Sequence, residues 1–259
     1  MGSGYALNNI VPKQDDGCVA VRREDFIKAV KKLVSMYYPE IRLDDFPSYK
    51  LVRSGVVHPI GILVSIILSQ NTSDRNAGAA LQRLKERVGE YLDPVKLGEV
   101  SVEELEEIIR PSGMQRQKSR AILNVLKEFR DDPDALMREN PEELRERLLR
   151  INGVGPKTAD VFLLFVRGYP TFPMDTHIRR FLERMGVGGR SEPYERLRER
   201  VLRLLPRDPE FLLAAHLAII IHGRRVCRAK NPLCRKCVIN SLCPYYRDKL
   251  QEPSEGKAE

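Results

Sequence analysis

The chain has 259 residues, 42% of them hydrophobic, enough for one large or two small cores and too many for wholesale disorder. Lys and Arg outnumber Asp and Glu by 44 to 36, a formal charge of +8 that suits an acidic partner, nucleic acid foremost, and equally suits a soluble protein with a basic surface. No apolar run reaches the ~18 residues of a membrane-spanning helix. The first residues, MGSGYALNNI, lack the basic-then-apolar order of a secretory signal, so the expected setting is the cytoplasm, where cysteines stay reduced.

Helical spacing runs through the chain and alternating strand patterns are almost absent, so the expected fold class is all-α. After an irregular start over residues 1–22, which contains Cys18, the residues Phe26, Ile27, Val30, Leu33, Val34 and Tyr37 share one helical face. The apolar run Pro59–Leu68 reads as a buried core helix, and the polar turn ILSQNTSD follows it. Ala77, Ala80, Leu81, Leu84 and Val88 form the next stripe, which Gly89 stops. Ser101 with Glu104 makes a capping box ahead of Leu105, Ile108 and Ile109. A loop, SGMQRQK, leads to a stripe of Ala121, Ile122, Val125, Leu126 and Phe129. Pro141, Pro156 and Pro209 each open a helix where proline is tolerated.

Residues 144–166, LRERLLRINGVGPKTADVFLLFV, carry a more specific signal. One helix ends near Arg150, Asn152-Gly153-Val154-Gly155 turns the chain, and Pro156 starts a second helix. Two glycines around Val154 permit a tight turn with positive φ and bring backbone N–H groups within reach of an anion. The second helix adds the positive end of its dipole. This is a helix-hairpin-helix element, whose usual ligand is a DNA phosphate; a plain αα-hairpin is the bland alternative.

Near the C-terminus four cysteines crowd together as Cys227-x6-Cys234-x2-Cys237-x5-Cys243. Four thiolates so close can converge on one tetrahedral object, a structural Zn²⁺ or a [4Fe–4S] cluster, with two disulfides disfavoured by a reducing compartment. The loop is basic (Arg224, Arg225, Arg228, Lys230, Arg235, Lys236), which suits an anionic thiolate site or a phosphate backbone. His216 and His222, on the helix leading to it, read as packing or phosphate-facing groups, and residues 247–259 as a frayed, charged tail.

The strings INGVGPKTAD, PMDTHIRR and IHGRRVC with its three following cysteines resemble the endonuclease III family of DNA glycosylases over roughly residues 25–245. The resemblance implies a [4Fe–4S] cluster on Cys227, Cys234, Cys237 and Cys243. It implies base-excision repair of double-stranded DNA carrying a damaged base or an abasic site, with damaged, oxidised pyrimidines as the substrates. Lys157 matches the family's lysine nucleophile and Asp175, eighteen residues on, its catalytic aspartate. Lys157 falls in the first turn after Pro156, where the helix dipole disfavours the ammonium, and its neutral amine would attack C1′ of the sugar. Asp175 would stabilise positive charge on the sugar and can also cap the helix after it, while His177 reads as structural. The hairpin residues Gly153, Val154 and Gly155 would hold DNA phosphate. Gln70 or Asn71 would fill the gap left by the flipped base, and Met114, where the family usually has leucine, would act as a second wedge.

Three readings compete. The first is a glycosylase with AP-lyase activity, acting as a monomer. The second is a glycosylase for mismatched thymine or uracil or an oxidised purine, which in its monofunctional form Lys157 opposes. The third is a non-catalytic DNA-binding redox sensor, which the pairing of Lys157 with Asp175 opposes. The expected domains are a helical one over 56–168, a second pairing segment 1–55 with 169–245, and a flexible tail over 246–259, with the hairpin and Asp175 facing each other at the domain boundary.

Overall fold

The computed structural model describes residues 21–189 and 191–251, and every regular element in them is helical. Cys18 and nearly all of the irregular start over residues 1–22 lie outside the described residues. In chain order the helices are α1 (Arg23–Tyr37), α2 (Pro47–Ser54), α3 (Pro59–Leu68), α4 (Asp74–Val88), α5 (Pro94–Gly98), α6 (Val102–Ile109), α7 (Gln115–Glu128), α8 (Ala135–Arg138), α9 (Pro141–Arg150) and α10 (Pro156–Phe165). Then come α11 (Thr176–Arg184), α12 (Tyr194–Leu204), α13 (Pro209–Arg225) and α14 (Pro244–Gln251).

The chain forms two compact units. One runs over Ile41–Pro173; the other joins the segment ending at Glu40 to that beginning at Met174. The boundary thus falls at Glu40, where residue 55 was expected, because Leu51 of α2 belongs to the core of the first unit and Tyr49 meets Phe165 edge-on, ring centroids 5.6 Å apart. The second break lies at Pro173, a few residues beyond the expected 168. The tail expected from 246 begins inside α14, which runs on to Gln251.

The unit over Ile41–Pro173 is built around α3. Ile60 to Leu68 are all buried, which explains an apolar run without helical periodicity. Helices α2, α4, α7 and α10 pack on it. Side chains cap three helices of this unit: Ser73 Oγ accepts from the Asn76 amide, Asp93 from Val95, and Asn140 from Glu142. The Ser101 capping box is half made. Its hydroxyl accepts from the Glu104 amide at 3.2 Å, but the Glu104 carboxylate pairs with Arg87. In the other unit α1 lies along α13, and α11 packs on α13 through Gly223, where a Cβ would come within 2.8 Å of the His177 Cβ.

The turn between α9 and α10 is fixed by one glycine, not two. Gly153 has φ +98° and Gly155 an ordinary −92°. A Cβ on Gly153 would stand 2.4 Å from the Ala121 Cβ of α7, whereas one on Gly155 would meet nothing within 4 Å. The Asn124 side chain of α7 also donates to the Asn152 carbonyl at 3.0 Å. Behind the turn, Asp160 of α10 is fully buried and held by Arg145 of α9 at 2.8 Å and by the Thr171 hydroxyl at 2.9 Å. Breaking such a pair from one side leaves a buried charge and costs about 3–5 kcal/mol.

Gly153→Ala should therefore lower unfolding free energy by about 2–4 kcal/mol, from left-handed strain plus overpacking. Gly155→Ala should cost under about 1 kcal/mol. Urea denaturation of the two variants checks this, and equal losses would refute the assignment of the two glycines.

Candidate functional site

One open cavity gathers most of the residues singled out around the hairpin. It is lined by Gln70, Asn71, Asn152, Gly153, Val154, Gly155, Lys157 and Thr158, with Leu149 and Ile151. Helix α10 begins at this cavity with Pro156 in its first turn and no side-chain cap on Gly155. The N–H groups of Lys157 and Thr158 have no carbonyl one turn back within the helix to bond. Val154 is buried and Gly153 and Gly155 are exposed, so the loop anchors by its apolar residue and presents backbone outward. Lys157 is half-buried in the first turn. A helix start of this kind, flanked by a lysine and carrying no acidic side chain in its first turn, suits an anion.

The two amides that the sequence leaves interchangeable behave differently. Gln70 Nε2 donates to the Gly153 carbonyl at 3.2 Å and to Thr158 Oγ1 at 3.0 Å, so Gln70 is tied to the hairpin. Asn71 is exposed, with φ +49°. Its Nδ2 lies 3.9 Å from the Met114 sulfur. Met114 is 44% exposed, caps α7 without a side-chain bond and has φ +50°. Asn71 and Met114 thus form an adjoining pair of exposed side chains, and Gln70 is not one of them.

Sequence reasoning missed Lys118. This lysine of α7 is 1% exposed, and its Nζ donates to the Leu68 carbonyl at 2.8 Å and the Ser112 carbonyl at 2.7 Å. Burial draws its pKa down to about 8. The available signal was positional. Lys118 precedes Ala121, Ile122 and Val125 on the same apolar face, where a solvated lysine does not belong.

Asp175 belongs to the other unit and sits, half-buried, at the N-cap of α11, its Oδ1 accepting from the Ile178 amide at 2.8 Å. The cap fixes the carboxylate where α11 begins. His177 packs against Gly223 and touches Arg180, with its pKa lowered by burial.

The four cysteines line one cavity with Phe181, Met185, His222, Val226, Ile239 and Tyr245 among its other walls. Short 3-10 turns over Cys234–Lys236 and Asn240–Leu242 deliver Cys237 and Cys243 to it. Arg184 Nη1 points at Cys227 Sγ, 3.1 Å away, and also donates to the Arg228 carbonyl at 2.9 Å. Burial and the neighbouring thiols push Cys237 up to about 11, and burial raises Cys243 too. Thiols in such a place become thiolates when a cationic centre displaces their protons. Among the described residues no three His, Cys, Asp or Glu side chains gather as closely as a single ion requires. Four sulfurs on one cavity wall are a donor set that suits a thiolate-ligated metal or cluster. His216 and His222 are buried, 3% and 1% exposed, so they pack and do not face a phosphate; burial takes His222 down to about 4.

A family model described as HhH-GPD superfamily base excision DNA repair protein matches residues 64–207. Endonuclease III of Sulfolobus acidocaldarius is 38% identical over 189 residues, covering 73% of this chain and 83% of its own length. Two solved structures match with a TM-score of 0.72. One is a non-covalent endonuclease III–DNA complex, 24% identical, over 90% of this chain and 100% of that one. The other is a trapped endonuclease III–DNA covalent intermediate, 25% identical, over 89% and 99%. The uncapped hairpin helix, the all-helical fold and these matches agree: the chain belongs to the endonuclease III family of helix-hairpin-helix repair proteins and is a DNA glycosylase of base-excision repair.

Proposed function

We propose that this glycosylase is bifunctional: it releases damaged, oxidised pyrimidines from double-stranded DNA and then cuts the strand at the abasic site through a Schiff base on Lys157. The observation that carries this reading is a half-buried lysine in the first turn of a helix with no side-chain cap, lining one cavity with the glycine turn beside it. The backbone of Gly153 to Gly155 and the start of α10 hold a phosphate by charge and hydrogen bonds, without reading sequence. The lysine amine attacks C1′ of the flipped nucleotide, the C1′–N bond breaks, and the base departs with that electron pair and takes up a proton. The sugar ring opens to an imine on Lys157. Loss of a C2′ proton then expels the 3′ phosphate by β-elimination. Asp175, whose side chain the cap fixes in place, stabilises the positive charge that builds on the sugar or helps activate the lysine. Asn71 and Met114 fill the gap in the stack, and Gln70 steadies the turn from behind.

Cys227, Cys234, Cys237 and Cys243 hold a [4Fe–4S] cluster in this reading. When bound, the cluster ties the C-terminal loop and its exposed cations, among them Arg228, Lys230, Arg235 and Lys236, into one piece. Purified protein should be yellow-brown, and Cys237→Ser should lose both the colour and the cooperative unfolding of the unit that contains it. A colourless protein with one zinc per chain would defeat the cluster assignment.

Lys157→Gln should fold, keep its colour and bind lesion DNA, while strand cleavage and borohydride-trapped adduct fall by at least about 10³-fold. Asp175→Asn should slow base release by about 10²-fold yet still trap a pre-formed abasic site, where less charge needs stabilising. Normal cleavage by Lys157→Gln would place the nucleophile elsewhere. A panel of duplexes bearing oxidised pyrimidines, uracil, thymine mismatches and 8-oxoguanine tests the substrate class, and preference for the last three would overturn the pyrimidine reading.

A further inference from the structure

We propose that Lys118 is a positioning residue for opening the duplex: from inside the core its side chain binds together the two loops whose tips, Asn71 and Met114, enter the gap left by the flipped base. This rests on the gap-filling role assigned above to those two tips.

The two carbonyls that Lys118 holds are not arbitrary. Leu68 is the last residue of α3, three positions before Asn71, and Ser112 lies two positions before Met114. A helix-terminal carbonyl such as that of Leu68 lacks an intrahelical partner and carries the negative end of the helix dipole, so an ammonium there is well matched. Lys118 grips the second loop twice, since its backbone N–H also donates to the Met114 carbonyl at 3.0 Å. An amine that has lost its proton still has two N–H groups for two carbonyls, so the tie survives deprotonation.

The tips need such a tie. Asn71 and Met114 are both non-glycine residues in the left-handed region. Asparagine tolerates it, but for methionine it is strained and persists only where the surroundings over-determine it. Both side chains are exposed and touch through the amide and the sulfur, so each tip has little packing of its own. The restraint comes from behind, through a side chain 1% exposed that no DNA atom can reach. Burying a lysine is costly, and an apolar residue would serve if packing α3 against α7 were all that was required. A single residue gripping both loops sets the distance between the two tips, which must match the rise of one base step.

The test uses a duplex with a tetrahydrofuran abasic analogue opposite 2-aminopurine, whose fluorescence rises when it is unstacked. This signal does not depend on the Lys157 chemistry, so a failure of the lyase reading leaves it intact. Lys118→Met, folded and coloured like the parent, should bind with most of the rise lost and with duplex affinity weakened about tenfold or more, since unstacking alone costs a few kcal/mol. Cleavage of an abasic site in single-stranded DNA, where no partner strand leaves a gap, should fall far less than cleavage in duplex. A purely structural role would lower both alike. If Lys118→Met does not fold, Lys118→Gln, which keeps N–H donors at shorter reach, takes its place. Met114→Gly, which relieves the backbone strain while removing the tip, should lose the rise while keeping or gaining stability. In the Met114→Gly background the Lys118 substitution should add little further loss. A full fluorescence rise from folded Lys118→Met or from Met114→Gly, or equal losses on single and double strands, would overturn the proposal.

Discussion

The site hangs on a contact that leaves no room for a methyl group. Gly153 passes Ala121 so closely that a Cβ at 2.4 Å would force the turn off α7. That approach sets where α10 begins, and therefore where the first-turn N–H groups and Lys157 point. Close packing resists such shifts because interiors have few voids into which the displaced atoms could move. The glycine two residues on has a different use. Gly155 is unstrained and open on its Cβ side, so it leaves space at the helix start where Gly153 makes the turn possible.

Around this contact, side-chain hydrogen bonds tie the loops to their neighbours. Gln70 is bonded to the turn and to Thr158, while Asp160 is bonded to Arg145 and Thr171. Lys118 is bonded to the two chain segments that end at Asn71 and Met114. Each of these links is a charged or amide side chain with a backbone or side-chain acceptor, short and geometrically demanding. The residues left exposed between them are Asn71, Met114 and the backbone of the turn.

Much of this was legible in the sequence, for identifiable reasons. The helices at Pro141, Pro156 and Pro209 and the stop at Gly89 follow from local backbone chemistry, which neighbours rarely override. The hairpin was visible because INGVGPKT is unusual, and the cysteine loop because its spacing is. Which of the two glycines takes the positive φ is hidden in the sequence, because the residue that crowds Gly153, Ala121, lies in a different helix. The unit boundary at Glu40 was hidden because α2 contributes Leu51 to a core whose other members lie far along the chain. Gln70 and Asn71 differ by a bond from Gln70 to Gly153, 83 residues away, which no local pattern shows. The buried Lys118 was overlooked because charged residues on a helix usually mark its wet face.

In the proposed lyase reaction the first turn of α10 presents the reacting amine. Borohydride trapping of the wild-type protein on an abasic duplex, followed by nuclease digestion and mass spectrometry of the proteolysed adduct, tests it directly. A deoxyribose remnant is expected on the peptide containing Lys157 and on no other lysine. A remnant on a different lysine, or no covalent adduct from protein that binds the duplex, would contradict it.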